Sequence, residues 1–121
     1  MTTISPWLSV GDATEALAFY RAAFGAASDL LEEDGAVIVV RLSIDEADFW
    51  VQHDPDASPE ALTGTPVRMI LTVDDPDTVL TRAVAAGATV VAPIHEDHGW
   101  RVGRIADPSG HQWEIGRRLT S

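Results

Sequence analysis

The clearest candidate for chemistry in this chain is the carboxylate of Glu114. It lies in the run Gln112–Ile115, where polar and apolar residues alternate, and such alternation predicts a strand with side chains on two faces. Trp113 and Ile115 would point into the core, so Glu114 would point the opposite way. A carboxylate on that face can bind a metal ion, act as a general base or pair with a cation. Which of these it does depends on what the rest of the chain places beside it.

The residues just before Glu114 predict how its strand is held. Asp107-Pro108-Ser109-Gly110 is a tight-turn signal, because proline presets φ and glycine tolerates the left-handed region. A short alternating run lies on each side of the turn. The stretch Gly103–Ile115 is therefore predicted to be two antiparallel strands joined by that turn.

Other residues of useful chemical type are weaker candidates. The sequence HEDH at 95–98 could capture a metal ion, but a solvated polar loop over His95–Gly99, with nothing to fix its geometry, is the expectation. His111 is expected to be a core histidine that holds the turn. Ser5 and Ser9 have no evident histidine partner, and the chain has no phosphate-binding loop, nucleophile elbow or HExxH motif.

Composition limits the classes of partner. The net charge of −11 argues against nucleic acid and anionic membranes, and fits either a well-solvated surface or a cationic ligand. The chain has no cysteine, which excludes disulfides, thiolate metal sites and a cysteine nucleophile. The start MTTISPW does not resemble a secretion signal and no long apolar run follows, so a cytoplasmic protein is expected.

The first half of the chain predicts one helix and four strands. Asp12 is a helix N-cap signal and Gly25 a helix end signal, with apolar residues at helical spacing between them. Asp34-Gly35 is a hairpin signal between two strand-like runs. The expected elements are a strand Ile4–Val10, a helix Ala13–Phe24, and strands Ser28–Glu33, Val37–Ile44 and Asp48–His53.

The second half repeats this order after a linker with three prolines, Asp54–Pro66. It predicts a strand Val67–Val73, a helix that Asp75 caps and Gly87 ends, a strand Ala88–Ala92, and the closing hairpin.

The two halves also match residue by residue. Val10, Asp12 and Leu17 correspond to Val73, Asp75 and Leu80. A repeat of about 60 residues indicates two copies of one supersecondary unit. The predicted fold is α+β, a single domain of 1–121 with βαβββ modules at 1–53 and 67–118 and a linker at 54–66. Two such sheets side by side would curl their free faces into a cleft.

Several motifs together resemble the vicinal oxygen chelate superfamily, which includes glyoxalase I, extradiol dioxygenases, fosfomycin-resistance enzymes and bleomycin-resistance proteins. The resemblance covers nearly the whole chain and implies the glyoxalase/bleomycin-resistance-like fold of paired βαβββ modules. Its specificity lies in the order and spacing of the motifs. They are Leu8–Asp12, Phe19–Ala26, Val73–Asp75, Ala86–Ala88 and Trp100–Glu114.

The resemblance also implies four metal ligands, usually His or Glu, one on each of four strands. Carried over by motif, these positions fall at Ser5, about Trp50, Arg68 and Glu114, and strand alternation read independently places all four opposite the apolar faces. Only Glu114 is a metal-binding type. Zinc needs about four ligands and iron oxygenases a triad, and an arginine would repel the cation. No bound metal is therefore expected, with Zn, Ni, Fe or Mn as the alternative.

The hypothesis that replaces a metal site is an Arg68–Glu114 pair across the cleft, with Trp7, Trp50 and Trp100 as aromatic walls. A guanidinium binds a carboxylate in a two-pronged way, and indole faces offer stacking and cation–π contacts. Such a site would hold a flat or cationic small molecule without chemistry, and replacing Trp50 with Ala would abolish binding. The alternative without a ligand is an ion pair that only stabilises the fold. It would lie in a solvent-filled groove, and the tryptophans would be partly buried by packing.

Two further interpretations stay open. The chain could be an enzyme of the superfamily, either a metal-dependent lyase or dioxygenase using Glu114 or a metal-free catalyst with Glu114 as general base. The neighbouring arginine favours the ionised carboxylate and so works against a base. It could also be a scaffold without a ligand. The resemblance implies a homodimer, and sequence leaves open whether the cleft lies within one chain or between two.

Overall fold

The computed structural model describes residues 2–33, 36–62 and 67–119. In these residues the strands are β1 (Trp7–Val10), β2 (Ala27–Glu33), β3 (Ala36–Ile44), β4 (Ala47–His53), β5 (Met69–Thr72), β6 (Thr89–Asp97), β7 (Trp100–Ala106) and β8 (Gln112–Arg118). The helices are α1 (Ala13–Phe24) and α2 (Pro76–Ala85), with a short 3-10 helix at Pro59–Leu62 between the halves. Neither α1 nor α2, the α-helices of these ranges, is long and apolar enough to cross a membrane.

The strands form two four-stranded sheets with the same connectivity. The orders are β1-β4-β3-β2 and β5-β8-β7-β6. In each sheet the first strand pairs in parallel with the last strand of its module, and the other neighbours are antiparallel. The α+β fold of two βαβββ modules predicted from the repeat is therefore confirmed.

Capping residues at both ends determine where α1 begins and ends. The Asp12 carboxylate accepts a hydrogen bond from the Glu15 backbone N–H at 3.0 Å, and Gly25 ends the helix with a φ of 68°. Only glycine adopts that left-handed conformation without steric cost. The helix therefore has the bounds Ala13–Phe24 that the sequence predicts.

Some strand boundaries differ from the predictions. β1 begins at Trp7 instead of Ile4, and β5 spans Met69–Thr72 instead of the predicted Val67–Val73. In both cases the parallel partner strand offers register partners for only four residues. The predicted hairpin at 34–35 lies outside the described residues.

The predicted polar loop at His95–Gly99 is wrong. β6 continues through Asp97, and its hairpin with β7 closes over His98 and Gly99 alone. Both of these residues have positive φ, 49° and 83°, which suits the two-residue turns that match strand twist. Register shifts between Val90 and His95 let the strand run on past Pro93, which would otherwise interrupt the ladder.

The core lies between the helices and the inner faces of both sheets, and aromatic rings join the two modules there. Trp113 of the second module contacts Tyr20, Phe24 and Phe49 of the first, with ring centroids 4.9–5.5 Å apart. Offset and edge contacts of this kind stabilise beyond the burial of their area. The modules therefore share one core.

A buried carboxylate, Asp107, reinforces this junction. It accepts hydrogen bonds from the Tyr20 hydroxyl, from Trp113 Nε1 at 3.0 Å, and from the backbone N–H groups of Ser109 and His111. Burial, and then the neighbouring carboxylate, hold the pKa of Tyr20 well above its ordinary value. His111 is half-buried and its Nε2 lies 2.9 Å from the Ser9 carbonyl, so this histidine ties the turn to β1.

Candidate functional site

A groove of about 520 Å³ lies over the outer face of the second sheet, opposite the core. Its floor is formed by cross-strand pairs of β7 and β8, namely Arg104 with Glu114 and Val102 with Gly116. Ile70 of β5 borders one side, and β6 borders the other. Since alternate residues of a strand point to opposite faces, the same alternation that buries Ile105, Trp113 and Ile115 forms this floor.

Glu114 lies in this groove between two arginines. Its Oε1 is 2.7 Å from Arg68 Nε and accepts a hydrogen bond from Arg104 Nη2 at 2.9 Å. The side chain of Glu114 is 20% exposed, against 45% for Arg68 and 31% for Arg104. This is a charged cluster on a half-buried sheet surface, where ion pairs are screened less than in open solvent.

The pair of Arg68 and Glu114 anticipated from the sequence is therefore present, with a different geometry. The pair does not cross a cleft between sheets, because Arg68 precedes β5 and Glu114 lies on the adjacent strand β8. Arg104 is a member that the sequence reasoning missed. Counting outward from the predicted turn Asp107–Gly110 would have placed Gly103 opposite Glu114, whereas the hairpin pairs residues about Ser109 and so brings Arg104 to Glu114.

The three tryptophans are not brought together in one chain. Trp100 lines the groove at the start of β7. Trp7 and Trp50 lie on the first sheet, where the parallel pairing of β1 and β4 places them side by side, with ring centroids 6.0 Å apart and planes inclined by 22°. The expected aromatic walls around Arg68 and Glu114 thus reduce to Trp100 within a single chain, because the other two belong to a separate sheet.

Ser5 lies ahead of β1 and lines a second groove, of about 640 Å³, between the N-terminal residues and β5. Arg68 and Ile70 border both grooves. The second groove is the larger of the two, but its lining offers no ion pair or hydrogen-bonded cluster comparable to that at Glu114 among the described residues. A few convergent polar groups on an apolar surface are what orient a small ligand, so the smaller groove is the better candidate.

The residues at the positions of the superfamily's metal ligands do not fit a divalent metal ion. Ser5, Trp50 and Arg68 contribute no imidazole or carboxylate, and two guanidinium groups occupy Glu114 Oε1. Across the ranges 2–33, 36–62 and 67–119, no group of three His, Asp or Glu residues is arranged to hold a metal ion. The groups present are one carboxylate and two guanidinium cations. They form ion pairs with each other and do not match the ligand set of zinc or of an iron oxygenase.

The histidines of β6 and its turn lie at the rim of the groove. His95 Nδ1 is 2.9 Å from the Pro93 carbonyl, and His98 Nε2 is 3.4 Å from Asp97 on an exposed surface. Asp97 pairs in register with Trp100, four residues along β7 from Arg104, or about 13 Å away at the usual rise of a strand. The groove thus has an arginine-rich end at Glu114 and an end with Trp100 and Asp97.

Two βαβββ modules with a shared core and open outer sheet faces define the vicinal oxygen chelate class of protein. The sequence matches the glyoxalase-like domain over residues 7–116. The chain therefore belongs to the glyoxalase-like family of that superfamily, as the motifs in the sequence suggest.

Known proteins resemble the chain over most of its length. An uncharacterized protein of Mycobacterium bovis (strain ATCC BAA-935 / AF2122/97) is 39% identical over 125 residues, which cover 94% of this chain and 82% of that protein. A glyoxalase/bleomycin resistance protein/dioxygenase family enzyme from Burkholderia phytofirmans PsJN superposes with a TM-score of 0.73 at 20% identity, covering 93% of this chain and 95% of its own.

The genomically encoded fosfomycin resistance protein of Listeria monocytogenes superposes with a TM-score of 0.75 at 16% identity, covering 97% of this chain and 93% of its own. At these identities the structural likeness establishes the fold alone.

Proposed function

We propose that this protein binds or sequesters a small, flat molecule in the groove over the second sheet, without a metal ion. The observation that carries the proposal is the cluster of Arg68, Glu114 and Arg104 in the same 520 Å³ groove as Trp100. The volume is that of a ligand-sized site. Ile70 and Val102 supply apolar surface, Trp100 supplies a ring for stacking, and the charged cluster supplies orientation.

The names of the two structural neighbours support a glyoxalase/bleomycin-resistance-like protein and do not identify a ligand or a reaction. One is named as a fosfomycin resistance protein and the other as an enzyme of the glyoxalase/bleomycin resistance protein/dioxygenase family, so their names do not decide between binding and catalysis for this chain. Because function belongs to the site and not to the fold, the donor set decides between them for this chain. A lyase or dioxygenase mechanism would need ligands that Ser5, Trp50 and Arg68 do not provide, and Glu114 Oε1 is already paired with two guanidinium groups instead of being free to contact a substrate proton.

The proposal includes a homodimer in the cytoplasm with no nucleic-acid or membrane partner. The net charge of −11 supports the last part, because a surface of this sign repels phosphate backbones and anionic lipids. Exposed apolar side chains at the N-terminal segment and on β5 support the dimer.

Calorimetric titration with a neutral planar probe, 2-naphthamide, tests the binding proposal. We expect saturable binding that Trp100→Ala weakens about tenfold, the equivalent of about 1.4 kcal/mol of lost stacking and apolar contact. Trp50→Ala is the matched control. It leaves the affinity unchanged if the groove is complete within one chain, and weakens it if a second copy supplies Trp50. Binding that is indifferent to Trp100, or no binding at all, contradicts the proposed site.

Elemental analysis of protein purified without chelator tests the absence of a metal ion from the proposal. We expect no Zn, Ni, Fe or Mn in stoichiometric amount, and no rise in melting temperature when any of these is added. One tightly held ion per chain would contradict the proposal and return glyoxalase or dioxygenase substrates to consideration.

A further inference from the structure

We propose that the arginine-rich end of the groove binds the carboxylate of a planar organic acid, with the flat part of the ligand lying towards Trp100. This inference rests on the proposed binding function and adds the charge and orientation of the ligand. It departs from the cationic ligand that the overall acidity of the chain suggests.

The first argument is the charge balance at the cluster. Arg68 and Arg104 bring two positive charges, and Glu114 supplies one negative charge. The other charged group among the described residues of the groove is Asp97, which lies at the opposite end and contacts His98. His95 and His98, the remaining titratable groups there, add no negative charge. The arginine-rich end thus keeps an excess positive charge in a protein whose net charge is −11.

The second argument is the number of unused donors. A guanidinium has five N–H donors in a rigid fork that matches a carboxylate. Within the described residues, Arg68 Nε forms an ion pair with Oε1 of Glu114 at 2.7 Å, and Arg104 Nη2 donates a hydrogen bond to the same oxygen. The Nε of Arg104 is buried and has no hydrogen-bond partner in the ranges 2–33, 36–62 and 67–119. A buried donor without a partner is costly, so this end of the groove is short of acceptors.

The third argument is orientation. Val102 and Gly116 form the floor between the two ends, and the side chain of Val102 covers Gly116, where an added Cβ would lie 3.1 Å from Val102 Cγ2, so the floor is low and apolar. A planar ring can therefore lie flat on this floor, with its acidic group at Arg68 and Arg104 and its far edge towards Trp100. Glu114 holds the two guanidiniums in place and is a positioning residue, not a ligand contact.

The test uses three naphthalene probes of matched shape and different charge, titrated by calorimetry into the full chain. They are 2-naphthoate, 2-naphthamide and 2-naphthylmethylammonium. We expect the carboxylate to bind about tenfold more tightly than the amide, and the ammonium to bind most weakly, since charge-assisted pairing with arginine is the stronger kind of hydrogen bond.

Variants show whether the arginines cause this preference. Arg68→Met and Arg104→Met should each weaken 2-naphthoate binding about tenfold and leave 2-naphthamide binding unchanged. Arg68 is the more exposed of the two, so its variant remains informative if Arg104→Met impairs folding. Arg21→Met, on the exposed surface of α1, removes the same charge away from the groove and should change nothing.

The outcomes separate the two proposals. An amide or ammonium that binds as tightly as the carboxylate, or a carboxylate preference that survives Arg68→Met, overturns this inference and leaves the binding function in place. Failure of all three probes to bind overturns both.

Discussion

Two carboxylates of this protein, Asp107 and Glu114, have different roles because their surroundings differ. Each carboxylate contacts several polar groups, but the groups differ. Asp107 is buried and takes neutral donors from both modules, so it stabilises the junction. Glu114 is partly exposed and pairs with two guanidinium groups that line a groove. The same residue class therefore serves the fold at one position and, in our proposal, recognition at the other.

Tyr20 leads to a prediction about alkaline pH. Burial and Asp107 raise the pKa of its phenol in the folded protein, whereas the unfolded chain ionises near the ordinary value of about 10. Above that pH the unfolded state binds fewer protons than the folded state, so the free energy of unfolding should fall by up to about 1.4 kcal/mol per pH unit.

Urea denaturation between neutral and alkaline pH measures this loss. The chain has one tyrosine, so tyrosinate absorbance reports this group alone. It has no lysine, so no lysine ammonium titrates in the same pH range. Tyr20→Phe should remove the alkaline dependence, and should also lower stability at neutral pH by about 1 to 3 kcal/mol because Asp107 loses a buried donor. Ionisation of the native tyrosine near pH 10 would contradict the raised pKa.

At the scale of elements, tight turns fix which side chains meet across the closing hairpin. The turn at Asp107–Gly110 sets the register of β7 on β8, and with it the pairing of Arg104 and Glu114. Gly110 has a φ of 94°, and a Cβ there would come within 2.7 Å of Pro59 Cα in the segment between the modules. This glycine therefore serves both the turn and the close approach of the linking segment.

Two glycine substitutions separate the cost of backbone strain from the cost of a clash with Pro59. Gly25→Ala imposes only backbone strain, because a Cβ at this position would meet no non-neighbouring atom within 4 Å, and it should cost about 1 to 2 kcal/mol. Gly110→Ala adds a steric clash with Pro59 to the same strain and should cost more. Urea midpoints of the two variants measure the difference, and equal losses would show that the linking segment yields freely.

At the scale of the whole molecule, the outer sheet faces and the N-terminal segment carry apolar side chains that this chain alone does not cover. Ile4 is 95% exposed and Ile70 on β5 is 67% exposed, and both border the groove between the N-terminal residues and β5. Contiguous exposed apolar surface usually marks an interaction site. A second copy of the chain is the partner that the dimer proposal assigns to it.

Sedimentation equilibrium tests the dimer. We expect a dimer for the wild-type chain and a monomer for Ile70→Lys, because a buried, unpaired charge is costly at an interface. Val84→Lys, an exposed apolar position on α2, is the matched control and should stay dimeric. A monomeric wild-type protein would contradict the proposal, and a dimer that survives Ile70→Lys would place the interface elsewhere.

The sequence by itself determined the local features of this protein. Capping residues gave the bounds of α1, alternation gave the faces of β4 and β8, the repeat gave two βαβββ modules, and the order of the motifs gave the resemblance to the family. The capping and alternation signals are readable because each depends on residues close together in the chain. Even Glu114 could be assigned to the outer face in this way, since its own strand carries the information.

Only the tertiary structure decided which of these residues meet. It added Arg104 to the pair of Arg68 and Glu114, separated Trp50 from Trp100, and joined Tyr20 to Asp107. The physical reason is that such contacts depend on strand register and on how two sheets pack around one core. Register follows from turn geometry and the sum of many side-chain contacts, and a shift of one residue moves every side chain to the other face.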